Sequence, residues 1–367
     1  MPPIRYAVVG LGHIAQAAVL PAFAHARKNS LLTALVSDTP VKQRKLSGRY
    51  RVPCYSYAQY GELLRSGTID AVYIALPNTM HEEYSVRAAE AGIHVLCEKP
   101  MATSEAECHA MIQAAARHRV KLMIAYRLHF DEANLTAIKI AQSGRIGDPR
   151  FFSSTFSLQV AGDNIRTDRE LGGGSVWDLG IYCLNAARYL FMSEPIEVSA
   201  FSARKRGDPR FREIEEMTGV QLRFPGERLA TFISSFGAAD SGAYDLIGTK
   251  GSLRLDPGYE YYLPITLTVK VGEKVTRKTF AKRDQFAAEL VYFSDCIRRN
   301  KTVEPSGLEG LADVRVIEAI YRSARIGRPV ALHVLSKRER PTLRQEIHKP
   351  PVPRVPSLVR AESSSGD

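Results

Sequence analysis

Near the N-terminus, "IRYAVVGLGHIA" runs an apolar strand straight into glycines and then into a helix-forming stretch. Gly10, Gly12 and Ala15 read G-x-G-x-x-A. The first glycine permits a tight turn. The second lets the backbone come close to a pyrophosphate, and the helix that follows offers its unpaired amide donors. Such a match is weak when it stands alone. Here it lies between a strand and a helix, with further strand–helix pairs behind it, and it predicts a dinucleotide-binding βαβ unit. His13 and Ile14 belong to the same loop and count with Gly10 and Gly12 as cofactor residues.

The next hundred or so residues keep this rhythm. "LLTALVSD", "DAVYIALP", "HVLC" and "KLMIAY" are short apolar runs that read as strands. Between them lie a helix over residues 14–28, kinked at Pro21, and a charged helix near 41–49. "MHEEYSVRAAEAG" is closed by Gly92, and "SEAECHAMIQAAARHR" opens on Ser104 as an N-cap. Apolar strands alternating with helices predict a parallel sheet covered on both faces. After Tyr126 the pattern changes. A helix near 132–143 is followed by strands with alternating residues and turn signals such as Pro225-Gly226, and then by helices near 285–299 and 308–326. The expected fold class is α/β. A Rossmann domain spans 1–126, and an α/β domain with a large, mostly antiparallel open sheet spans 127–335. A proline-rich basic tail, extended or without fixed structure, spans 336–367.

Other classes are excluded by what the chain lacks. No apolar run reaches the roughly 20 residues needed to cross a bilayer. The N-terminus enters a strand without a basic and then apolar leader, which predicts a cytoplasmic protein with no membrane partner. Five cysteines, an odd number without a CxxC pair, indicate neither a disulfide framework nor a metal site. They fit a reducing compartment. The net charge of +11 is spread over the chain, with local runs at "SARKRGDPRFR" and in the tail, and predicts a solvated basic surface rather than a nucleic-acid site.

In an open parallel sheet, ligands bind outside the carboxyl ends of the strands. The second strand ends in "VSDTPVKQRK". Asp38 suits the ribose hydroxyls of NAD or the cap of the next helix. Ser37, Lys42 and Arg44 suit the 2′-phosphate of NADP. "ALPNTMH" places Leu76, Pro77, Asn78 and His81 beside the cofactor cleft, unless His81 is only an exposed helix start. "HVLCEKPMA" ends a strand in Glu98 and Lys99, with Pro100 setting the backbone direction. An ammonium there polarises a substrate oxygen, and Glu98 pairs with a base or binds ribose. The plain alternative is a surface ion pair. "GGGSVWDLGIYCLNAARYL" puts Asp178, Tyr182 and Asn185 at i, i+4 and i+7 on one helix face. That stripe points into a cleft as a substrate site or faces solvent. A phenol titrates near 10 in water, so acid–base work at neutral pH calls for a nearby cation such as Lys99.

With these motifs together, the chain resembles the glucose–fructose oxidoreductase / inositol dehydrogenase (Gfo/Idh/MocA) family. "GLGHIA", "CEKP" and "GGGSVWDLGIYCLN" match its three signatures in order, over about residues 4–332. Many members carry histidine at the position of Tyr182, and tyrosine there is similar to the glucose–fructose oxidoreductase branch. The resemblance implies Lys99 in catalysis, Tyr182 as acid or base, and Asp178 orienting them. It also implies Tyr126 and Arg127 near the nicotinamide and Arg166 near the cofactor, although Ile165 replaces the usual aromatic residue before it. Ser37 and Lys42 resemble the branch that binds the 2′-phosphate, so NADP is expected, with NAD open. The large sheet of the second domain is implied as the interface of a homo-oligomer, a dimer or tetramer.

The expected function is oxidation of a cyclic, glucose-like aldose to its lactone, possible coupling to reduction of a second sugar included. The alternatives are a simple sugar or polyol dehydrogenase or anhydrosugar reductase, and a regulator that senses a nucleotide or sugar without catalysis.

Overall fold

The computed structural model describes residues 1–162, 164–333, 335, 339–354 and 356–361. From the N-terminus come β1 (Ile4–Val9), α1 (Leu20–Ala26), β2 (Ser30–Val36), α2 (Pro40–Tyr50), β3 (Cys54–Tyr55) and α3 (Tyr60–Arg65). Then follow β4 (Ala71–Ile74), α4 (His81–Glu90), β5 (His94–Glu98), α5 (Glu105–Arg117) and β6 (Leu122–Ala125). The second run comprises α6 (Glu132–Gln142), β7 (Pro149–Ser157), α7 (Ile181–Phe191), β8 (Glu197–Ala203), β9 (Met217–Phe224) and β10 (Arg228–Ser235). It continues with β11 (Ser241–Gly248), β12 (Gly251–Asp256), β13 (Ile265–Val271) and β14 (Lys274–Phe280), then α8 (Gln285–Arg298), α9 (Gly307–Ile326) and β15 (Val330–Ala331).

The chain forms two compact units. The first holds Met1–Arg127, Asp284–Leu311 and the described residues from Ile347 onward. Its six strands run in the order β3-β2-β1-β4-β5-β6, every neighbouring pair parallel. This is the order of a dinucleotide-binding sheet, reversing direction between β1 and β4. Tyr6–Val9 and Ala71–Ile74 are fully buried, as strands covered on both faces must be. Ser104 caps α5 by accepting from the Glu107 N–H, as its position before two acidic residues predicts.

The second unit holds Leu128–Arg283 and Ala312–Glu346. Its nine strands run β14-β13-β12-β11-β7-β10-β9-β8-β15. Among the described residues, only β7 and β10 of this sheet pair in parallel; the other pairs are antiparallel. Along β10, Ala230 and Phe232 are buried while Leu229, Thr231 and Ile233 are exposed, the two-residue period of a sheet with one covered face.

Three expectations change. The kink expected at Pro21 is a π turn over Ala15–Val19 that passes directly into α1. A proline without an N–H is accommodated by such a locally widened turn. The boundary expected near residue 335 does not hold either. Helix α8 returns to the first unit, packing on α1, β1 and β2, and so does the chain from Ile347. Finally, the described tail is not featureless. Leu343–Gln345 forms a 3-10 turn with a capping box from Thr342, and Val359 is buried. Tail residues 336–338, 355 and 362–367 lie outside the described residues.

Candidate active site

Gly10 leaves β1 at φ +89°, a left-handed conformation that favours glycine, and a Cβ there would collide with the Ala75 carbonyl. Apart from its own chain neighbours, no atom of the described residues lies within 4 Å of where a Cβ on Gly12 would sit. A tight turn followed by open space at the second glycine is the shape that lets a pyrophosphate approach the backbone, so these residues fit a dinucleotide. His13 and Ile14, at the start of the helical stretch, are partly exposed.

At the end of β2, Ser37 is buried and its hydroxyl accepts from the Thr39 N–H at 3.3 Å. Asp38 is exposed and does not cap α2. Its carboxylate accepts from the Tyr57 N–H at 2.6 Å. Lys42 is half-buried, and loss of solvation lowers its ammonium from the usual lysine range. Arg44 is exposed. The Asp38 carboxylate is therefore engaged by Tyr57 rather than by α2, and Ser37 spends its hydroxyl on the turn.

After β4, Leu76 is buried and Pro77 and Asn78 are partly exposed. His81, expected beside the cofactor cleft or at the surface, is fully buried instead. Its Nδ1 lies 2.8 Å from the Pro100 carbonyl oxygen and its Nε2 lies 2.9 Å from that of Leu76. Burial lowers its pKa, the two carbonyls oppose that, and the charge of Lys99 adds to the lowering. The ring ties the end of β4 to the turn that presents Lys99. Both ring nitrogens thus face backbone carbonyls, and the ring packs between the two chain segments.

Lys99 is half-exposed at the carboxyl end of β5, and its peptide bond to Pro100 is cis. Glu98, expected to pair with a base or a ribose, is buried and accepts from the Tyr73 hydroxyl at 2.8 Å. Burial raises its pKa, while Lys99, the Tyr73 bond and Arg127 pull it back. Tyr126 and Arg127 are buried, and Arg127 donates to the Gln285 side chain at 2.6 Å. One turn further along α8, Glu289 is wholly buried, with no hydrogen-bond partner on either oxygen. Burial first, then Glu98, holds its carboxyl well above the ordinary range against the pull of Arg127. Tyr73, Gln285 and Glu289 escaped the sequence reading. Tyr73 left one signal, a hydroxyl in an otherwise aliphatic strand that must find a partner.

In the second unit, a π turn over Val176–Gly180 precedes α7. The widened turn spoils the α-helical spacing, so the stripe expected from Asp178, Tyr182 and Asn185 splits. Asp178 forms an ion pair with Arg166 at 2.6 Å, both side chains about one-fifth exposed. Tyr182 is half-buried, its ring edge-on to Phe156 with centroids 5.5 Å apart. Asn185, expected in the substrate site, is buried. Its carbonyl oxygen lies 2.9 Å from His129 Nε2, and its amide donates to Asp313 at 2.9 Å. Asp313 in turn accepts from Arg188, which also holds Glu194. Asn185 thus belongs to a buried polar network in the core of its unit.

Among the described residues, no three His, Cys, Asp or Glu side chains are grouped to hold a metal, and no helix is long and apolar enough to cross a membrane. None of the five cysteines is in a disulfide.

Two family models match the chain. One, described as an oxidoreductase family with an NAD-binding Rossmann fold, covers residues 4–126. The other, the GFO/IDH/MocA C-terminal domain, covers 134–254. A D-xylose 1-dehydrogenase [NADP(+)] of Haloarcula marismortui is 29% identical over 88% of this chain and 91% of its own. An uncharacterised oxidoreductase of Rhizobium meliloti is 33% identical over 88% of this chain and 98% of its own. Among solved structures, the aldose–aldose oxidoreductase of Caulobacter crescentus, complexed with glycerol, superposes with a TM-score of 0.86. It is 39% identical and covers 90% of this chain and 100% of its own.

Proposed function

Because the chain belongs to the GFO/IDH/MocA family of NAD(P)-dependent oxidoreductases, we propose that it oxidises the anomeric carbon of a cyclic aldose to a lactone, with NADP preferred over NAD. The observation that carries this reading is the presence of Lys99 at the β5 end and Tyr182 at the head of α7, in a chain similar to an aldose–aldose oxidoreductase. Gly10, Gly12, His13 and Ile14 hold the pyrophosphate of the dinucleotide. Lys42 meets the 2′-phosphate, and Leu76, Pro77 and Asn78 line the cofactor. When bound, the nicotinamide supplies a hydride acceptor. Tyr182 takes the proton of the anomeric hydroxyl as the C1–H bond breaks. Lys99 stabilises negative charge on that oxygen. Asp178, held by Arg166, orients the reacting groups. Reduction of a second sugar closes the cycle.

Stopped-flow mixing of the protein and NADP or NAD with a panel of aldoses tests this, with nicotinamide reduction expected. Absence of reduction by every aldose, inositol and related polyol would overturn it. Dissociation constants for the two nucleotides test the NADP preference, which equal or tighter NAD binding removes. The likeness to the D-xylose 1-dehydrogenase favours a second reading, in which the nucleotide leaves after each turnover. Mass spectrometry of copurifying ligands separates the two, since only a retained cofactor purifies with the protein. The reading includes a cytoplasmic enzyme, in keeping with the absence of disulfides. It also includes a homo-oligomer built on the open face of the nine-stranded sheet, where Phe151, Phe201, Leu229 and Ile233 are exposed.

A further inference from the structure

Gln16 lies in the helical stretch after the glycine loop, and it is 1% exposed. Its amide nitrogen donates to the Leu11 carbonyl, inside the loop, at 2.8 Å, and to the Val359 carbonyl at 3.0 Å. Its amide oxygen accepts from the Val359 N–H at 2.8 Å. The side chain thus pairs with the Val359 peptide as a neighbouring strand would, and the same NH2 group grips the loop. Val359 is itself buried. Two residues earlier, Ser357 accepts from Arg49 through its carbonyl at 3.0 Å and its hydroxyl at 3.3 Å. Arg49 stands near the end of α2, the helix that follows the ribose-reading end of β2. The C-terminal segment is therefore fastened both to the glycine loop and to the far end of the helix that follows β2.

A planar trans peptide points its C=O and N–H in opposite directions. Holding the Leu11 carbonyl therefore fixes the direction of the Gly12 N–H, one of the amides available to a pyrophosphate. Both hydrogens of the Gln16 amide are engaged, one by the loop and one by the tail, so releasing the tail frees the side chain to turn. Neither family model reaches this segment, the later one ending at residue 254.

We propose that the C-terminal segment around Ser357–Val359 is a strap that, through Gln16, fixes the glycine loop and slows release of the bound dinucleotide. Gln16 is then a positioning residue for the pyrophosphate. The proposal rests on the glycine loop being the dinucleotide site.

The experiment follows release of prebound NADPH by its fluorescence after a chase with excess NADP. The proteins are the full chain, a chain lacking residues 357–367, and full-length Val359→Pro, which removes the N–H that Gln16 accepts. Release is expected to be about tenfold faster in both variants, the size of one or two buried hydrogen bonds. Hydride transfer from nucleotide already bound should stay within about twofold, a separation that general loss of structure would not give. If the shortened chain does not fold, Val359→Pro decides. Wild-type release from a folded Val359→Pro protein would overturn the strap alone. Failure of the full chain to bind any nicotinamide dinucleotide would remove the strap and the cofactor reading together.

Discussion

Lys99 and the carboxyl groups near it show how much of the chemistry is set one residue at a time. Lys99→Ala should lower hydride transfer at least about a hundredfold, the scale for losing a positioned charge. Nucleotide affinity should stay within about tenfold, because the glycine loop and ribose contacts dominate it. Single-turnover reduction and equilibrium titration read the two separately. Glu289 gives a prediction of the opposite kind. Glu98 has a hydroxyl donor and a neighbouring ammonium, whereas neither oxygen of Glu289 has a hydrogen-bond partner, and burial favours its protonated form. Its folded pKa is raised, so the stability it allows is full below the ordinary carboxyl pKa and falls as pH rises toward the folded value. Glu289→Gln removes that fall. The variant's stability advantage over wild type should widen with pH above about 4.3, by up to about 1.4 kcal/mol per unit. Denaturant melts between pH 5 and 8 measure it, and a pH-independent gap would show that Glu289 is ionised.

At the scale of elements, two π turns decide where side chains point. One precedes α1 and lies just beyond the glycine loop; the other precedes α7 and separates Asp178 from the face that carries Asn185. Helix α7 is then anchored by charge inside its own unit. Arg188 is fully buried between Glu194 and Asp313, and Arg340 joins Glu194 at 2.6 Å. Burial pushes the Glu194 carboxyl up, but Arg188 and Arg340 outweigh it and bring it to about 2. Arg188→Met keeps much of the volume and leaves two buried carboxylates short of their counter-charge. It should cost about 3–5 kcal/mol. Chemical denaturation checks this, and a loss below about 1 kcal/mol would mean that water or rearrangement satisfies both acids.

For the molecule as a whole, the open face of the nine-stranded sheet is the feature that points outward. Phe151 lies opposite Leu229 across β7 and β10, and Gly219 has Ile233 on one side and Phe201 on the other. Phe201 is 78% exposed, and these side chains form apolar ground on a sheet whose other face is buried. Ile233→Lys together with Phe201→Lys should dissociate the proposed oligomer with little loss of protomer stability. Surface substitutions of this kind usually stay within about 0.5 kcal/mol. Sedimentation velocity reads the assembly; an unchanged sedimentation coefficient places the interface elsewhere.

The parts of this protein that sequence alone determined are those written in local patterns. The G-x-G-x-x-A turn, the Ser104 cap, the run of buried parallel strands and the switch to alternating strands after Tyr126 depend on neighbours a few residues away. Steric limits at Gly10 and side-chain periodicity suffice to predict them. Local pattern also put Lys99 at a strand end. It did not reveal the buried partners of His81 and Asn185, which are Pro100, His129 and Asp313. It likewise passed over Gln16, Tyr73 and Glu289, and it assigned α8 and the tail to the wrong places. Each of those outcomes turns on which group meets a buried polar atom, and the partner of Gln16 stands 343 residues along the chain. A buried donor or acceptor must be satisfied wherever the fold brings a partner, and no spacing in the sequence records that distance. Only the tertiary structure decides it.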